Sequence, residues 1–350
     1  MKIERNALSR LLASITKAVE ARQTIPILGT VRLLAAGNML TATATNLDVE
    51  ITASAPCEGD IAVCVDAKLI EGIAKKLPAD ATIEFTHSND VLTVKAGRSR
   101  FTLQVLPIED FPEFNQSNYT AEFEYDLAAL FAPVKFAIST EETRYYLNGI
   151  FLHVDDGKLV AVATDGHRLG RNIGNEVPEI PAIIVPRKMV DLTISGIISV
   201  AISDTRIRFT GNGTTITSKL IDGTFPDYKR ILPTGNDKII NFDSAALRAA
   251  VERVSVVSSE RGRAVKLSFA NDQVTLAVNS PENGSAAEDV VVSYAKDEIE
   301  IGFNNAYLSE LIGQFPAGEL RLALADGGAP ALFTSEKADG LLMVLMPMRT

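Results

Sequence analysis

Between Asn6 and Val19, apolar residues fall at Leu8, Leu11, Leu12, Ile15 and Val19. This spacing predicts an amphipathic helix with one apolar stripe, opened by Asn6 as its N-cap. Short runs of strand character follow at Val31 to Leu34, Leu40 to Ala44, Val49 to Ala53 and Ile61 to Val65, with Gly37-Asn38 as a hairpin turn. Asp66 then predicts the cap of a second helix, Ala67 to Leu77, with Leu69, Ile70, Ile73 and Leu77 on one face and Pro78 ending it. Strands at Thr82 to Thr86, Val91 to Ala96 and Phe101 to Val105 close this first third.

The same order returns twice. The middle third predicts a helix from Leu127 to Ala137, strands at Gly149 to Val154, Leu159 to Thr164 and Ala182 to Val185, and a second helix opened by Pro186. Strands at Val200 to Ser203, Arg206 to Thr210 and Thr214 to Leu220 follow. The last third predicts helices Ala245 to Val257 and Asn305 to Phe315, with strands at Ala264 to Ala270, Val274 to Val278, one ending at Phe303, Leu320 to Ala325, Ala331 to Thr334 and Leu341 to Pro347. Asp126 and Asp243 open equivalent helices 117 residues apart, a third of the 350-residue chain. Phe111-Pro112-Glu113-Phe114 is echoed by Phe225-Pro226-Asp227-Tyr228, and Leu77-Pro78 by Phe315-Pro316. Repeats this long are whole domains. The prediction is an α+β fold of three repeated domains, 1–118, 119–237 and 238–350, each an antiparallel sheet with two helices side by side on one face.

The formal charge of −10 argues against a protein basic all over, though not against a basic patch. Arg5, Arg10, Lys17, Lys68, Lys75 and Lys76 lie on the first pair of predicted helices, Lys135, Arg187 and Lys188 on the second, Arg248 and Arg253 on the third. Lys and Arg on one solvated helix face are ordinary; their recurrence in three equivalent layers of an acidic chain suits a polyanion tracked by its phosphates. Cys57 and Cys64 are expected to be reduced thiols. The first residues lack the apolar core of a secretion signal, and no apolar run is long enough to span a bilayer.

Seven segments, in order, resemble the beta subunit of bacterial DNA polymerase III, the sliding clamp. They are Thr24 to Gly29, Gly97 to Phe101, Arg144 to Gly149, Ala163 to Leu169, Val185 to Lys188, Asp222 to Tyr228 and Met346 to Arg349. The resemblance covers the whole length. It implies a head-to-tail homodimer forming a six-domain ring, with helices lining a hole that encloses double-stranded DNA without reading its sequence. The closing interface would use Phe101 and Leu103 on one chain, paired with the segment Arg263 to Ser268 on the other, with Val256 and Val257 packing nearby. DNA-facing positions would be Arg22, Lys75, Tyr145, Tyr146 and Lys188; the two tyrosines have a competing role as core.

The resemblance also implies a pocket for short peptides from the DNA polymerase III alpha subunit, the clamp loader, other polymerases and repair proteins. Its positions would be Leu147, Thr164, Gly166, His167, Arg168, Leu169, Pro226, Arg230, Ile231, Val344, Met346, Pro347, Met348 and Arg349. Without the resemblance, Met343, Met346 and Met348 read as core at the end of a last strand. Neither catalysis, cofactor, metal nor membrane is expected, and the location is cytoplasmic, at the nucleoid. A hydrolase reading on Asp165 and His167, with His153, Asp155 and Asp156 as a metal cluster, has only proximity behind it; Asp155-Asp156-Gly157 and Gly211-Asn212-Gly213 read better as hairpin turns. No phosphate-binding Gly-x-x-x-x-Gly-Lys motif is present. The chain departs from the family at Gln23, at Glu141, where a carboxylate would repel phosphate, and at Thr350. A specialised clamp, or one carried by a mobile element, therefore stays open.

Overall fold

The computed structural model describes residues 1–114, 117–259 and 263–349. Each third carries ten elements in one order, strand, helix, four strands, helix, three strands. In the first repeat these are β1 (Lys2–Glu4), α1 (Arg5–Ile15), β2 (Thr30–Ala36), β3 (Met39–Thr45), β4 (Val49–Pro56), β5 (Ile61–Asp66), α2 (Ala67–Lys76), β6 (Thr82–Ser88), β7 (Val91–Ala96) and β8 (Ser99–Leu106). The second has β9 (Ala121–Tyr125), α3 (Leu127–Phe131), β10 (Gly149–Asp155), β11 (Lys158–Thr164), β12 (Arg168–Glu176), β13 (Ile183–Pro186), α4 (Arg187–Asp191), β14 (Ile198–Ile202), β15 (Arg206–Gly211) and β16 (Thr214–Lys219). The third has β17 (Lys238–Asp243), α5 (Ser244–Val254), β18 (Ala264–Ala270), β19 (Gln273–Ser280), β20 (Gly284–Val291), β21 (Ile299–Asn304), α6 (Asn305–Ile312), β22 (Glu319–Leu324), β23 (Ala331–Thr334) and β24 (Leu341–Leu345).

The chain divides into two compact units, and the division runs through the middle repeat. The first unit is Met1–Leu127 with Asp191–Leu220; it holds a sheet of order β1-β6-β7-β8-β5-β2-β3-β4-β16-β15-β14-β9. The second is Ala128–Val190 with Ile221–Thr350; it holds β13-β10-β11-β12-β24-β23-β22-β17 and a smaller sheet, β20-β19-β18-β21. Every pairing among the described residues is antiparallel. Neighbouring repeats are zipped edge to edge: β4 pairs with β16, and β12 with β24.

The helices bury the stripes that their spacing predicts. Leu8, Leu11, Leu12 and Ile15 of α1 are buried against β3, β4 and α2. In the third repeat α5 packs on α6 in the same way. Asp66 accepts from Leu69 N at 2.8 Å and Asp243 from Ala246 N at 2.8 Å; such caps each stabilise by about 1 kcal/mol.

Several expectations need correction. Asn6 is not a cap; α1 begins at Arg5, after Glu4. Leu69 is 55% exposed rather than on the buried face. The helix expected from Leu127 to Ala137 stops at Phe131, because Pro133 lacks an N–H and its ring clashes with the preceding turn. Pro186 ends a strand, and α4 after it is a single turn. Strands β1, β9, β12, β17 and β20 escaped prediction. The hairpins are as expected: Gly37-Asn38, Asp156-Gly157 and Asn212-Gly213 all take positive φ at both central residues, the geometry of type I′ turns.

Candidate partner pocket and sheet edges

Within the second unit, Val160, Val162, Leu169 and Val344 form an apolar floor on β11, β12 and β24. Leu147 borders it from a 3₁₀ turn, while Phe225 and Tyr228 border it from the connector after the second repeat. Phe225 stacks on Phe151 at 4.8 Å with the rings 3° apart. His153 Nδ1 lies 3.2 Å from the Val154 carbonyl, which can only accept, so Nδ1 carries the proton. Nε2 then accepts from the Tyr228 hydroxyl at 3.1 Å. Burial holds the His153 pKa below its usual value and pushes the Tyr228 phenol up. His153 is thus part of an aromatic stack, and Asp155 is held by Lys229 Nζ at 2.8 Å, which lowers its pKa. No cluster able to hold a metal ion occurs among the described residues.

The rim is the turn from Thr164 to Arg168. Thr164 Oγ1 donates to the Arg168 carbonyl at 2.8 Å and accepts from Gly166 N at 3.1 Å. Asp165 Oδ1 accepts from His167 N and Arg168 N at 2.9 and 3.0 Å, so this carboxylate is consumed by the turn rather than poised beside His167 for hydrolysis. Gly166 has φ +89°, a backbone conformation that strains any L side chain, so the position favours glycine. Arg144 pairs with Glu141 at 2.7 Å. Glu141, where the sequence departs from the family, has its charge met locally, and the hydrogen bond from Arg144 lowers its pKa.

The Arg168 side chain, 10% exposed, faces inward. Nε donates to Asp165 Oδ2 at 3.0 Å, Nη1 to Glu310 Oε2 at 2.6 Å and Nη2 to the Phe136 carbonyl at 2.8 Å. The guanidinium also lies over the rings of Phe136 and Tyr307. Beyond β24, Met346 N donates to the His167 carbonyl at 2.8 Å and Met348 N to the Gly302 carbonyl at 2.9 Å. Met343 is buried core, whereas Met346 and Met348 are both exposed. Pro226 and Pro347 are half-buried; His167, Arg230, Ile231 and Arg349 are exposed, with Arg230 paired to Asp227 at 2.9 Å. The fourteen expected pocket positions therefore share one unit, as buried floor, rim turn or exposed surround. Phe151, Val160, Val162, Phe225 and Tyr228 were not foreseen; the Phe-Pro-Asp-Tyr echo was the available signal. Thr350 lies outside the described residues.

The proposed DNA-facing residues are distributed over both units. Arg22 is exposed, and so is Lys75, paired with Glu71 at 2.7 Å. Tyr145 is exposed and meets half-buried Tyr146 edge to face at 5.8 Å; Lys188 is half-buried on α4. Some helix cations have structural work instead. Arg5 donates to the carbonyls of Ala74 and Lys75, at the C-terminal end of α2, and Arg253 pairs with Glu288 on β20.

The expected interface also needs correction. From Ser99 to Gln104, β8 pairs only with β7, so Phe101 and Leu103 do lie on an open edge. The segment expected to meet it does not: β18 is central, paired with β19 on one side and β21 on the other, and has no edge to offer. That sheet ends in β20, paired only with β19, and in β21, paired only with β18, among the described residues; β20 is the counterpart of β4 and β12. Val256 is 81% exposed beside it, and Val257 is half-buried. Arg263 lines a groove of about 470 Å³ with Val256, Ser259 and Ala306.

Three repeats zipped by their sheet edges define a three-domain clamp fold, a class whose members add processivity to a polymerase without catalysis. Models of the DNA polymerase III beta subunit match its N-terminal domain at residues 1–115, its central domain at 124–227 and its C-terminal domain at 229–349. Beta sliding clamps of Caulobacter vibrioides and Pseudomonas putida are 40% and 39% identical to the chain, each alignment covering at least 99% of both proteins. A crystal structure of the Bartonella birtlesii clamp bound to griselimycin superposes with TM-score 0.97 at 39% identity, covering 100% of this chain and 99% of that one. The chain belongs to the family of bacterial DNA polymerase III beta subunits, the beta sliding clamps.

Proposed function

We propose that two copies of the chain close head to tail into a ring around double-stranded DNA, and that each copy tethers partners through the pocket built on β11, β12 and β24. The observation that carries this is a rule of edges. At each junction within the chain, the fourth strand of one repeat pairs with the eighth strand of the next: β4 with β16, β12 with β24. Among the fourth and eighth strands of the repeats, those left without such a partner are β8, open on one side from Ser99 to Gln104, and β20. A second copy supplies the complement of each, making a heterologous contact that closes after two chains. Exposed edges of this kind invite strand pairing. Exposed Arg98 and Arg100 at the β8 edge and exposed Asp289 on β20 favour that match.

In this ring the three repeats, taken as 1–118, 119–237 and 238–350, give six domains. Arg22, Lys75, Tyr145, Tyr146 and Lys188 meet the phosphates, with no base read. The partners are the DNA polymerase III alpha subunit, the clamp loader, and other polymerases and repair proteins that carry short peptide motifs. The site of action is the cytoplasm, at the nucleoid. No helix among the described residues is long and apolar enough to cross a membrane. Griselimycin, bound by the Bartonella birtlesii relative, is a ligand of this pocket in the same reading.

The test is retention of the loaded protein on nicked circular duplex DNA against the same DNA linearised. Retention on the circle and loss over free ends supports a topological tether. Equal loss from both would remove it.

A further inference from the structure

We propose that Arg168 is a positioning residue of the partner pocket, one that meets no ligand and instead locks the rim turn to α6 of the third repeat. This rests on the pocket reading above. The rim itself is short, and the Thr164 and Asp165 bonds fix only its internal shape. The strands β11, β12 and β24 carry the turn, and the Arg168 fork adds its tie to the third repeat's helix: it reaches out of the turn and divides donors between Asp165, Glu310 and the Phe136 carbonyl. Its flat face lies 4.3 Å from the Tyr307 ring centre and 4.9 Å from that of Phe136.

With three of its five N–H donors bonded, its planar group over two rings and only 10% of the side chain exposed, the guanidinium has little left for a ligand. Glu310 and Tyr307 lie three residues apart on one face of α6, so the helix presents both to Arg168. His167, next to Arg168, holds the chain after β24 through its carbonyl and Met346 N, so the placement of the turn passes directly to the exposed methionines. A site held by a supporting shell loses affinity when that shell loosens, even where every contact residue remains. Lys in place of Arg168 keeps the charge but loses the planar fork and the stacking.

The experiment titrates griselimycin into the full-length wild type, Arg168→Lys, Glu310→Gln and the double variant by calorimetry. Hydrogen exchange of the Leu345–Met348 segment is followed by mass spectrometry in the same samples. Glu310 is half exposed, so Glu310→Gln spares the fold if the lysine variant does not. The expected result is binding about threefold weaker for Glu310→Gln and about tenfold weaker for Arg168→Lys. The double variant is then no weaker than Arg168→Lys, because the two changes break one interaction. Exchange at the Met346 amide quickens in each. Full affinity and unchanged exchange in Glu310→Gln, with binding lost in Arg168→Lys, would make Arg168 a ligand contact and overturn the proposal. Independent, additive losses would do the same. A wild type that binds no griselimycin overturns the pocket reading itself, and the positioning role with it.

Discussion

His153 shows how a residue with metal-ligand chemistry becomes structural. Its ring lies against Phe151, and its one free acceptor takes the Tyr228 hydroxyl. Tyr228→Phe leaves that acceptor unpaired and should cost about 1 kcal/mol, read as a lower urea midpoint at pH 7.5. The pH dependence follows from the direction of the shift. Burial holds the folded pKa of His153 below its usual 6.5, so the unfolded chain takes up this proton first. Stability from this residue is complete above about pH 7 and falls as the pH drops through 6.5 toward the folded value. Urea midpoints at pH 7.5 and 5.5 should differ more in the wild type than in His153→Gln. Equal slopes would mean that the ring is not held neutral. The acids with lowered pKa, such as Asp155, lose their stabilising charge at lower pH, outside this window.

At the scale of elements, the repeat symmetry fixes a register for the contact between chains. Thr45 Oγ1 donates to the Val49 carbonyl as Thr164 does to that of Arg168, so Val49 and Arg168 are equivalent, and Gly284 follows Ser280 at the same place. Val49 pairs with Ser218, and Arg168 with Leu345. Ser99 and Thr214 both open the strand after a two-residue turn, so Ser218 corresponds to Leu103. Gly284 should therefore face Leu103 of the other copy, and Ala287 should face Arg100. Arg100→Cys with Ala287→Cys in one chain should cross-link two chains under mild oxidation, since the native Cys57 and Cys64 are buried. Absence of a cross-link, with Ser268→Cys reacting in place of Ala287→Cys, would restore β18 as the edge. The sequence carried the amphipathic helices and their strand neighbours, because α1 and β18 each bury one face with a clear period. It did not carry β20, whose Gly284-Ser285-Ala286-Ala287-Glu288-Asp289 has little apolar alternation because one edge is open and the strand is half exposed. Nor did it carry the pocket floor, where Phe151 and Phe225 meet across 74 residues of chain.

For the whole molecule, the repeats share a frame but not a surface. The positions that in the second repeat are Phe151, Val160, Val162, Leu169 and Ile173 are Arg32, Thr41, Thr43, Glu50 and Ser54 in the first. There the face is polar, with Thr41 bonded to Ser54 at 3.1 Å and Thr43 to Thr52 at 3.2 Å, and Glu50 has its pKa raised by burial despite the nearby Arg32 and Arg206. The apolar cluster lies in the second repeat and the equivalent described face of the first is polar, so calorimetry should count one griselimycin per chain; two would require a further site. The central claim, closure through β8 and β20, is tested most directly by the native mass of the protein across a dilution series. A persistent species of about 75 kDa, two chains of 37.6 kDa, that falls to a single chain in Val257→Asp is the result expected of a two-chain ring. A wild type that runs as one chain at every concentration, or as three, would contradict it.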